Sequence, residues 1–407
     1  MTPFTTEILT DLAALERERT GWDRLAQEAS RPYCAPGWAL PWWSLVRPAG
    51  SELCAVAVRD GSELVGLAPF HLNRDRMGIT NWRLLGESES SYVEPLVKRE
   101  VLEAVVVAAA AAMEGGGRHV DVLSLTAVPR TSPRPRLLRE SWPGAPPRIS
   151  VVKTMRAPYV DVPDGGYEEW LRSRSRNFRQ QVGGRRREFL RRGGQFRRAD
   201  SGKELTQALT EFERLHERRW EHRGGSRALT TSVMEMLRRA SGELTTDRLQ
   251  VWTSEVDGVA VGAALFVAAG AEMHYWLGGF DEEWARCSPS LLLLVEALHY
   301  AADAGYGRVS LGPGAQQYKY RLATGDEELD WIDLLPQGRR YPYVRLCQTP
   351  YRAYRLASNR TSPQTKQRIR SSAERLIGGP RRGESAVPTA SKRSDEGERV
   401  GAARPSR

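Results

Sequence analysis

Ser288-Pro289-Ser290 and, further along, Tyr318-Lys319 are the residues of this chain whose types and order are best suited to chemistry. Serine is a good N-cap and proline suits the first helical position, so Ser-Pro marks the start of a helix. A helix start exposes N–H groups beside the positive end of the dipole, a ready anion site. Placed at the end of a strand, it can hold the phosphates of a thioester donor, which makes acyl transfer the leading chemistry. Taken alone, the segment also reads as an ordinary strand–helix–strand unit with a routine cap.

The elements that must position these residues are legible around them. Met273 to Phe280 is aromatic and apolar enough for a buried strand. Leu291, Leu294, Val295, Leu298, Ala301 and Ala302 share one helical face. Gly305 ends that helix, Arg308 to Leu311 reads as the next strand, and a short helix then carries Tyr318 and Lys319. Phe212, His216 and Trp220 lie on one face of another helix, where His216 is either a packed core histidine or a base at a domain interface. Asp281, closing the strand, reads as a turn residue or as a second candidate base.

The chain of 407 residues is long enough for two domains. No apolar run is long enough to span a bilayer, and Val101 to Met113 reads as an alanine-rich helix. The N-terminal residues do not form a secretory signal. Cys34, Cys54, Cys287 and Cys347 are scattered without metal-ligand spacing, so no metal site is expected and a reducing cytoplasm is the default location. The net charge of +10 is uneven. Residues 352–407 hold 14 Lys/Arg and 5 Asp/Glu, leaving 46 and 45 for the rest, so the body is nearly neutral. The tail from about Arg381 has the composition of a disordered segment.

Within the body, Leu171 to Arg198 holds eleven arginines and one acid, Glu188. Phe178, Val182, Phe189 and Leu190 give it an apolar side, and Gly183-Gly184 and Gly193-Gly194 interrupt it. It reads as a solvated amphipathic helix pair or as an arginine surface for phosphates, with tRNA or anionic lipid as candidate partners of Arg172–Arg198.

The order of elements repeats. Leu249 to Ala269 is a hairpin turning at Asp257-Gly258, and Cys54 to Leu72 is a weaker copy turning at Asp60-Gly61. Each continues with Val-Gly (Val65-Gly66, Val261-Gly262), then a Leu-Gly strand, an apolar helix and a last strand. This gives two related α/β domains, 1–145 and 146–350, followed by a basic segment from 351. Pro143 to Pro158 is the crossing segment. The first copy lacks the Ser-Pro loop and the Tyr-Lys pair, so donor chemistry is expected in the second.

In this order the motifs resemble the CelD-like, BioF-associated acetyltransferases of the GNAT superfamily. The resemblance runs from about Trp22 to Leu335. It rests on Pro36-Gly37-Trp38 with Trp42-Trp43, Leu67-Ala68-Pro69-Phe70, Arg83-Leu84-Leu85-Gly86 and Tyr92-Val93-Glu94-Pro95-Leu96 in the first half. In the second it rests on the arginine-rich helix, Leu215-His216-Glu217-Arg218-Arg219-Trp220, the Asp257-Gly258 hairpin, Asp281 with Ser288-Pro289-Ser290, and Tyr318-Lys319. The resemblance implies tandem GNAT-like α/β domains, each a mixed sheet flanked by helices. It also implies an acyl group passing from acetyl-CoA or another acyl-CoA to an amine of a small molecule, amino sugar or cell-envelope precursor. By the same resemblance, Trp276, Leu277, Gly278 and Gly279 would polarise the donor carbonyl and align its pantetheine arm. Arg286, Ser288, Pro289 and Ser290 would face its phosphates, and Lys319 would be a phosphate or structural contact, or else a solvated lysine. Tyr318 would be the acid to the leaving thiolate, His216 or Asp281 the base, and Arg219 and Trp220 acceptor contacts. The family pattern commonly reads Ser-Pro-Gly, so Ser290 departs from it, and a side chain there narrows the approach to a pyrophosphate. Fem-type aminoacyl transferases share the tandem fold and take their acyl group from aminoacyl-tRNA, the second reading. A binding protein that kept the fold without the chemistry is the third.

Overall fold

The computed structural model describes residues 4–115, 119–221 and 228–348. The basic tail therefore lies outside the described residues. The first half comprises β1 (Thr5–Leu9), α1 (Leu12–Arg17), α2 (Arg19–Glu28), α3 (Pro36–Leu45), β2 (Glu52–Asp60), β3 (Glu63–Arg74), β4 (Thr80–Leu84), β5 (Leu96–Val97), α4 (Leu102–Gly115), β6 (Val122–Pro129) and α5 (Arg134–Glu140). There follow β7 (Arg148–Asp161), α6 (Gly166–Ser173), α7 (Arg176–Arg191), β8 (Gly194–Arg198), α8 (Gly202–Glu221), α9 (Thr231–Glu243), β9 (Leu249–Val256), β10 (Val259–Ala269), β11 (Glu272–Phe280), α10 (Pro289–Asp303), β12 (Arg308–Ser310), α11 (Gln317–Leu322) and β13 (Gly325–Leu335).

All thirteen strands belong to one mixed sheet, in the order β1-β2-β3-β4-β6-β13-β7-β12-β11-β10-β9-β8, with β5 against β3. Only β4/β6 and β11/β12 are parallel pairs. The two halves exchange their last strands. β7, made directly after the first half, pairs with β12 of the second. β13, made last, pairs with β6 of the first, and β7 and β13 pair with each other. The segment expected only to cross between domains is thus largely a strand.

The repeated Val-Gly has a geometric meaning. In each hairpin the register slips by one residue at that valine, between Val58/Arg59 opposite Val65 and between Ala260 and Gly262 around Val261. Such a bulge tightens strand twist. The following glycine opens a notch for the helix: a Cβ on Gly66 would overlap the Val105 side chain of α4, and one on Gly262 would stand 3.0 Å from Pro289 Cβ of α10. Asp257 and Gly258 both take positive φ, 51° and 76°, as a tight two-residue hairpin turn demands.

One core runs from Trp22, Trp38 and Trp42 to Phe212 and Leu237, so α3 of the first half and α8 and α9 of the second share a face of the sheet. The opposite face of the second half carries α6, α7 and α10 around Trp170, Phe189 and Leu292. The helix from Pro289 is buried on more than one stripe, Leu291 through Val295 all lying inside, because sheet and helices enclose it. Two expectations change in the arginine-rich segment. Gly183-Gly184 sits within the continuous α7, anchored by buried Phe178, Val182 and Phe189, while Leu190 points outward and is 40% exposed. Gly193, at φ 78°, does end the helix.

At the seam between halves, the Gly270 N–H donates to Gln27 Oε1 and the Ala271 N–H to Ser30 Oγ. Gly270 has φ +54°, and a Cβ there would overlap the Gln27 carbonyl oxygen. Backbone cannot yield as a side-chain tip can. Gly270→Ala is therefore expected to lower unfolding stability by about 1–3 kcal/mol, read by urea denaturation.

Candidate active site

The pairing of β11 with β12 ends at His274 opposite Ser310, and the strands then part. Beyond that point Trp276–Gly279 has a strand partner only on the β10 side among the described residues. Opposite the Leu265–Phe266 step, Trp276 is the extra residue of a bulge. The bulge lets Trp276 and Leu277 both pack toward the core shared by α3 and α8, while Tyr275 packs toward the α10 side. Gly279 is where α8 crosses the strand: a Cβ would stand 2.8 Å from the His216 backbone nitrogen. Gly278 backs onto β10 at the Ala263 carbonyl.

Asp281 closes β11. It accepts from the Glu283 N–H at 3.1 Å and from the Arg218 guanidinium at 2.8 Å, which engages the carboxylate in a turn and an ion pair. A 3-10 turn (Glu282–Cys287) carrying exposed Arg286 leads to α10. Ser288 does occupy the N-cap position and Pro289 the first helical one. The cap differs from expectation, because Ser288 adopts φ 52° and ψ 57° and makes no side-chain cap bond. That left-handed backbone turns its hydroxyl back onto the Ala285 carbonyl, 3.3 Å away; Pro289 has no N–H, the Leu291 and Leu292 N–H groups donate to the Ser288 carbonyl at 3.0 and 3.1 Å, and the Ser290 N–H is left without a side-chain cap. Ser290 Oγ is covered by protein and has no hydrogen-bond partner, so the side chain at this position does not project in front of the helix start.

After β12 the chain follows β7, with the Leu311 N–H on the Pro158 carbonyl and the Gly314 N–H on the Arg156 carbonyl. Lys319 holds this loop. Its ammonium is buried and donates to the carbonyls of Gly312 at 3.0 Å and Pro313 at 3.1 Å. Burial pushes its pKa down to about 7. Lys319 is therefore a structural contact of this loop and not a solvated lysine. Tyr318, its neighbour on α11, is 36% exposed. The arginine segment braces α11: Arg174 donates to the Leu322 and Ala323 carbonyls and Arg321 to Gln181 Oε1.

His216 is buried beside Phe212, ring centroids 6.2 Å apart, at the crossing of α8 and β11. Arg219 and Trp220 lie on the last turn of α8, and their side chains fall outside the described residues. The structure thus gathers Trp276–Gly279, Asp281, Arg286, Ser288–Ser290 and His216 along one strand and its continuation, and puts Tyr318 and Lys319 on the helix beyond the parted strand. Sequence reasoning missed the loop Glu87–Ser91 of the first half. The Trp276 indole donates to the Glu89 carbonyl at 2.7 Å, and Trp38 and Trp42 donate to Ser90 Oγ and Ser88 Oγ. Three tryptophans thereby hold a polar loop of one half against the bulge of the other.

The corresponding opening of the first half is closed. β4 and β6 also part, beyond Arg83 opposite Ser124. Glu87 bridges the gap, accepting from Arg83 at 2.7 Å and from the Thr126 hydroxyl at 2.6 Å. The Tyr92 N–H adds a bond to the Ala127 carbonyl. Among the described residues no cluster could hold a metal ion and no helix is long and apolar enough to cross a membrane.

Comparison with known proteins agrees with this geometry. Residues 176–320 match the family model described as Acetyltransferase (GNAT) domain. No curated protein matches the chain. Among solved structures, FemX superposes with TM-score 0.60 at 14% identity, over 84% of this chain and 99% of that one. The C-terminal domain of a putative lysylphosphatidylglycerol synthetase from Agrobacterium fabrum gives 0.51 at 12% identity, over 81% and 95%. The structure titled L-PGS, from Bacillus licheniformis, gives 0.50 at 12%, over 83% and 96%. The fold is α/β, one large mixed sheet flanked by helices, and its likeness to a GNAT domain is carried by residues 176–320.

The buried ammonium of Lys319 predicts a pH signature. Its folded pKa lies below its usual value of about 10.4, so the unfolded chain binds the extra proton across that interval. Its contribution to stability is fully present above the unfolded pKa and is lost as pH falls through about 7. Relative to Lys319→Met, the wild-type protein should gain stability steadily from pH 7 to 10, measured by denaturant midpoints. A constant difference would remove the depressed pKa.

Proposed function

We propose that the chain is a GNAT-type N-acyltransferase that moves an acyl group from acyl-CoA to the amine of a small molecule, amino sugar or cell-envelope precursor. The observation that carries this is the parting of β11 from β12 beside the start of α10. A strand edge released from its neighbour can take the amide groups of an extended ligand by strand addition. The Ser290 N–H, left without a side-chain cap at the positive end of α10, suits a phosphate oxygen, and the Ser290 Oγ is covered by protein. Arg286 supplies positive charge on the preceding turn. In the second half these features coincide; in the first, Glu87 closes the equivalent gap, so that half shapes the acceptor side, with Arg219 and Trp220 of α8 as acceptor contacts.

Chemically, a neutral amine attacks the thioester carbonyl, which backbone N–H groups of Trp276–Gly279 polarise. Tyr318, exposed on α11, protonates the departing thiolate. His216 is placed to support β11 through α8, and Asp281 to hold Arg218, so both serve the shape of the strand. Lys319 fixes the loop before α11 and so positions Tyr318.

A second reading, tRNA-dependent aminoacyl transfer of the Fem type, is favoured by the arginine surface and by the likeness to FemX. Five of the eleven arginines are paired with acids: Arg186 with Glu296, Arg191 and Arg192 with Glu188, Arg197 with Glu255 and Arg198 with Asp247. Arg172, Arg176 and Arg187 remain exposed along α6 and α7 as contacts for tRNA or anionic lipid.

Thermal stabilisation separates the donors. A shift with acetyl-CoA that varies little with salt supports the first reading, whereas a response to aminoacyl-tRNA falling steeply with salt supports the second. Tyr318→Phe should lower kcat about 10²-fold with little change in melting temperature; an unchanged kcat removes Tyr318 from the reaction. Ser288→Asp places an anion at the helix start and should weaken acetyl-CoA binding by about 3- to 10-fold in titration calorimetry.

A further inference from the structure

The transfer leaves one role unfilled, that of the group which takes the amine's proton. Asp281 is engaged by Arg218 and by a backbone N–H, and His216 is buried at the α8–β11 crossing. The other carboxylates along the seam are engaged by partners, Glu327 by the Tyr92 hydroxyl at 3.0 Å. Glu87 pairs with Arg83, Glu94 with Arg31 and Arg134, and Glu272 with Arg31 and His274.

Glu89 differs. Among the described residues no lysine or arginine pairs with it; the Ser88 hydroxyl is its hydrogen-bonding neighbour. It is partly exposed, so a proton can reach it. Its place is fixed from three sides. The Trp276 indole holds its backbone carbonyl, Trp42 holds Ser88 and Trp38 holds Ser90. Trp38 and Phe212 in turn pack against Trp276, at 5.9 and 6.3 Å between ring centroids. The loop therefore meets β11 at the bulge, on the face shared with α3 and α8. The start of α10 lies on the other face of the sheet. A donor lying along α10 leaves the Glu89 face for the acceptor.

Resting on the acyltransferase reading above, we propose that Glu89, contributed by the first half, is the base that accepts the amine proton. The amine nitrogen forms a bond to the thioester carbon and the C–S bond breaks. The proton on nitrogen passes to the Glu89 carboxylate, and the thiolate takes a proton from Tyr318. The loop that carries Glu89 thereby gives the closed first half a direct part in the reaction.

Burial supports the assignment by pushing the Glu89 carboxyl up to about 7, where a base is half ionised and still strong enough to act. The charged group that acts on it is Glu87, on the same turn. Glu87 raises the value further by repulsion.

The test compares wild type, Glu89→Gln and Glu89→Asp, following thiol release from acetyl-CoA with hydroxylamine as acceptor probe between pH 5.5 and about 9. The wild-type rate is expected to rise through a limb near pH 7. Glu89→Gln should lose about 10²- to 10³-fold in kcat and lose the limb, with Glu89→Asp restoring part of the rate. Acetyl-CoA should stabilise all three proteins equally. Wild-type kcat and an intact limb in Glu89→Gln would overturn the assignment while leaving the donor reading standing. Absence of both thermal shift and thiol release in wild type would overturn the donor reading and this one together. A readout independent of turnover is the wild-type minus Glu89→Gln infrared difference: a protonated-acid band disappearing near pH 7 supports the base, and a carboxylate ionised throughout overturns it.

Discussion

Eleven residues of β13 run antiparallel to β7, and through that ladder two α/β halves share one sheet. Everything at the site follows from this exchange. It sets the distance between the halves by backbone hydrogen bonds, and the core shared by α3, α8 and α9 adds side-chain packing to the join. With the separation set, α3 can meet α9 and the loop after β4 can reach β11. Had the halves been joined only by a linker, domain motion would be the ordinary expectation.

The same join explains how two similar units come to do different things. Each half parts its parallel strand pair at the corresponding place. In the first, a glutamate ties the parted strands together through arginine and threonine. In the second, the strands stay apart and a helix start stands beside them. Similar topology thus provides one plugged opening and one usable opening, and tryptophans carry the loop of the first onto the bulge of the second.

Much of this was readable in the residues. The Val-Gly pairs repeat because each half needs a bulge and then a notch for its helix, a local demand that leaves a local mark. The Asp-Gly turn and the Ser-Pro helix start are likewise local. The strand exchange left no such mark: β7 and β13 have the composition of strands, but which edge each joins depends on residues far away in the chain. Ser288 was misread because its type suggests a side-chain cap, while its left-handed backbone is imposed by the tight turn before it. The role of Lys319 stayed open in the sequence because nothing nearby announces the two carbonyls it binds. Glu89 sits in a run of serines and glutamates that reads as surface, and only the enclosing tryptophans, drawn from both halves, give it its environment.

The exchange also orders events during synthesis. β6 is complete long before its outer neighbour exists, since that neighbour ends at Leu335. While the ribosome makes the second half, the growing chain carries an uncovered strand edge in an apolar first half. Such edges invite pairing with other chains. β7 emerges next and could lie in that gap, but its native partner β12 is not yet made either. The nascent protein must therefore keep two sticky edges apart until β13 arrives, and they are covered only once that strand has paired.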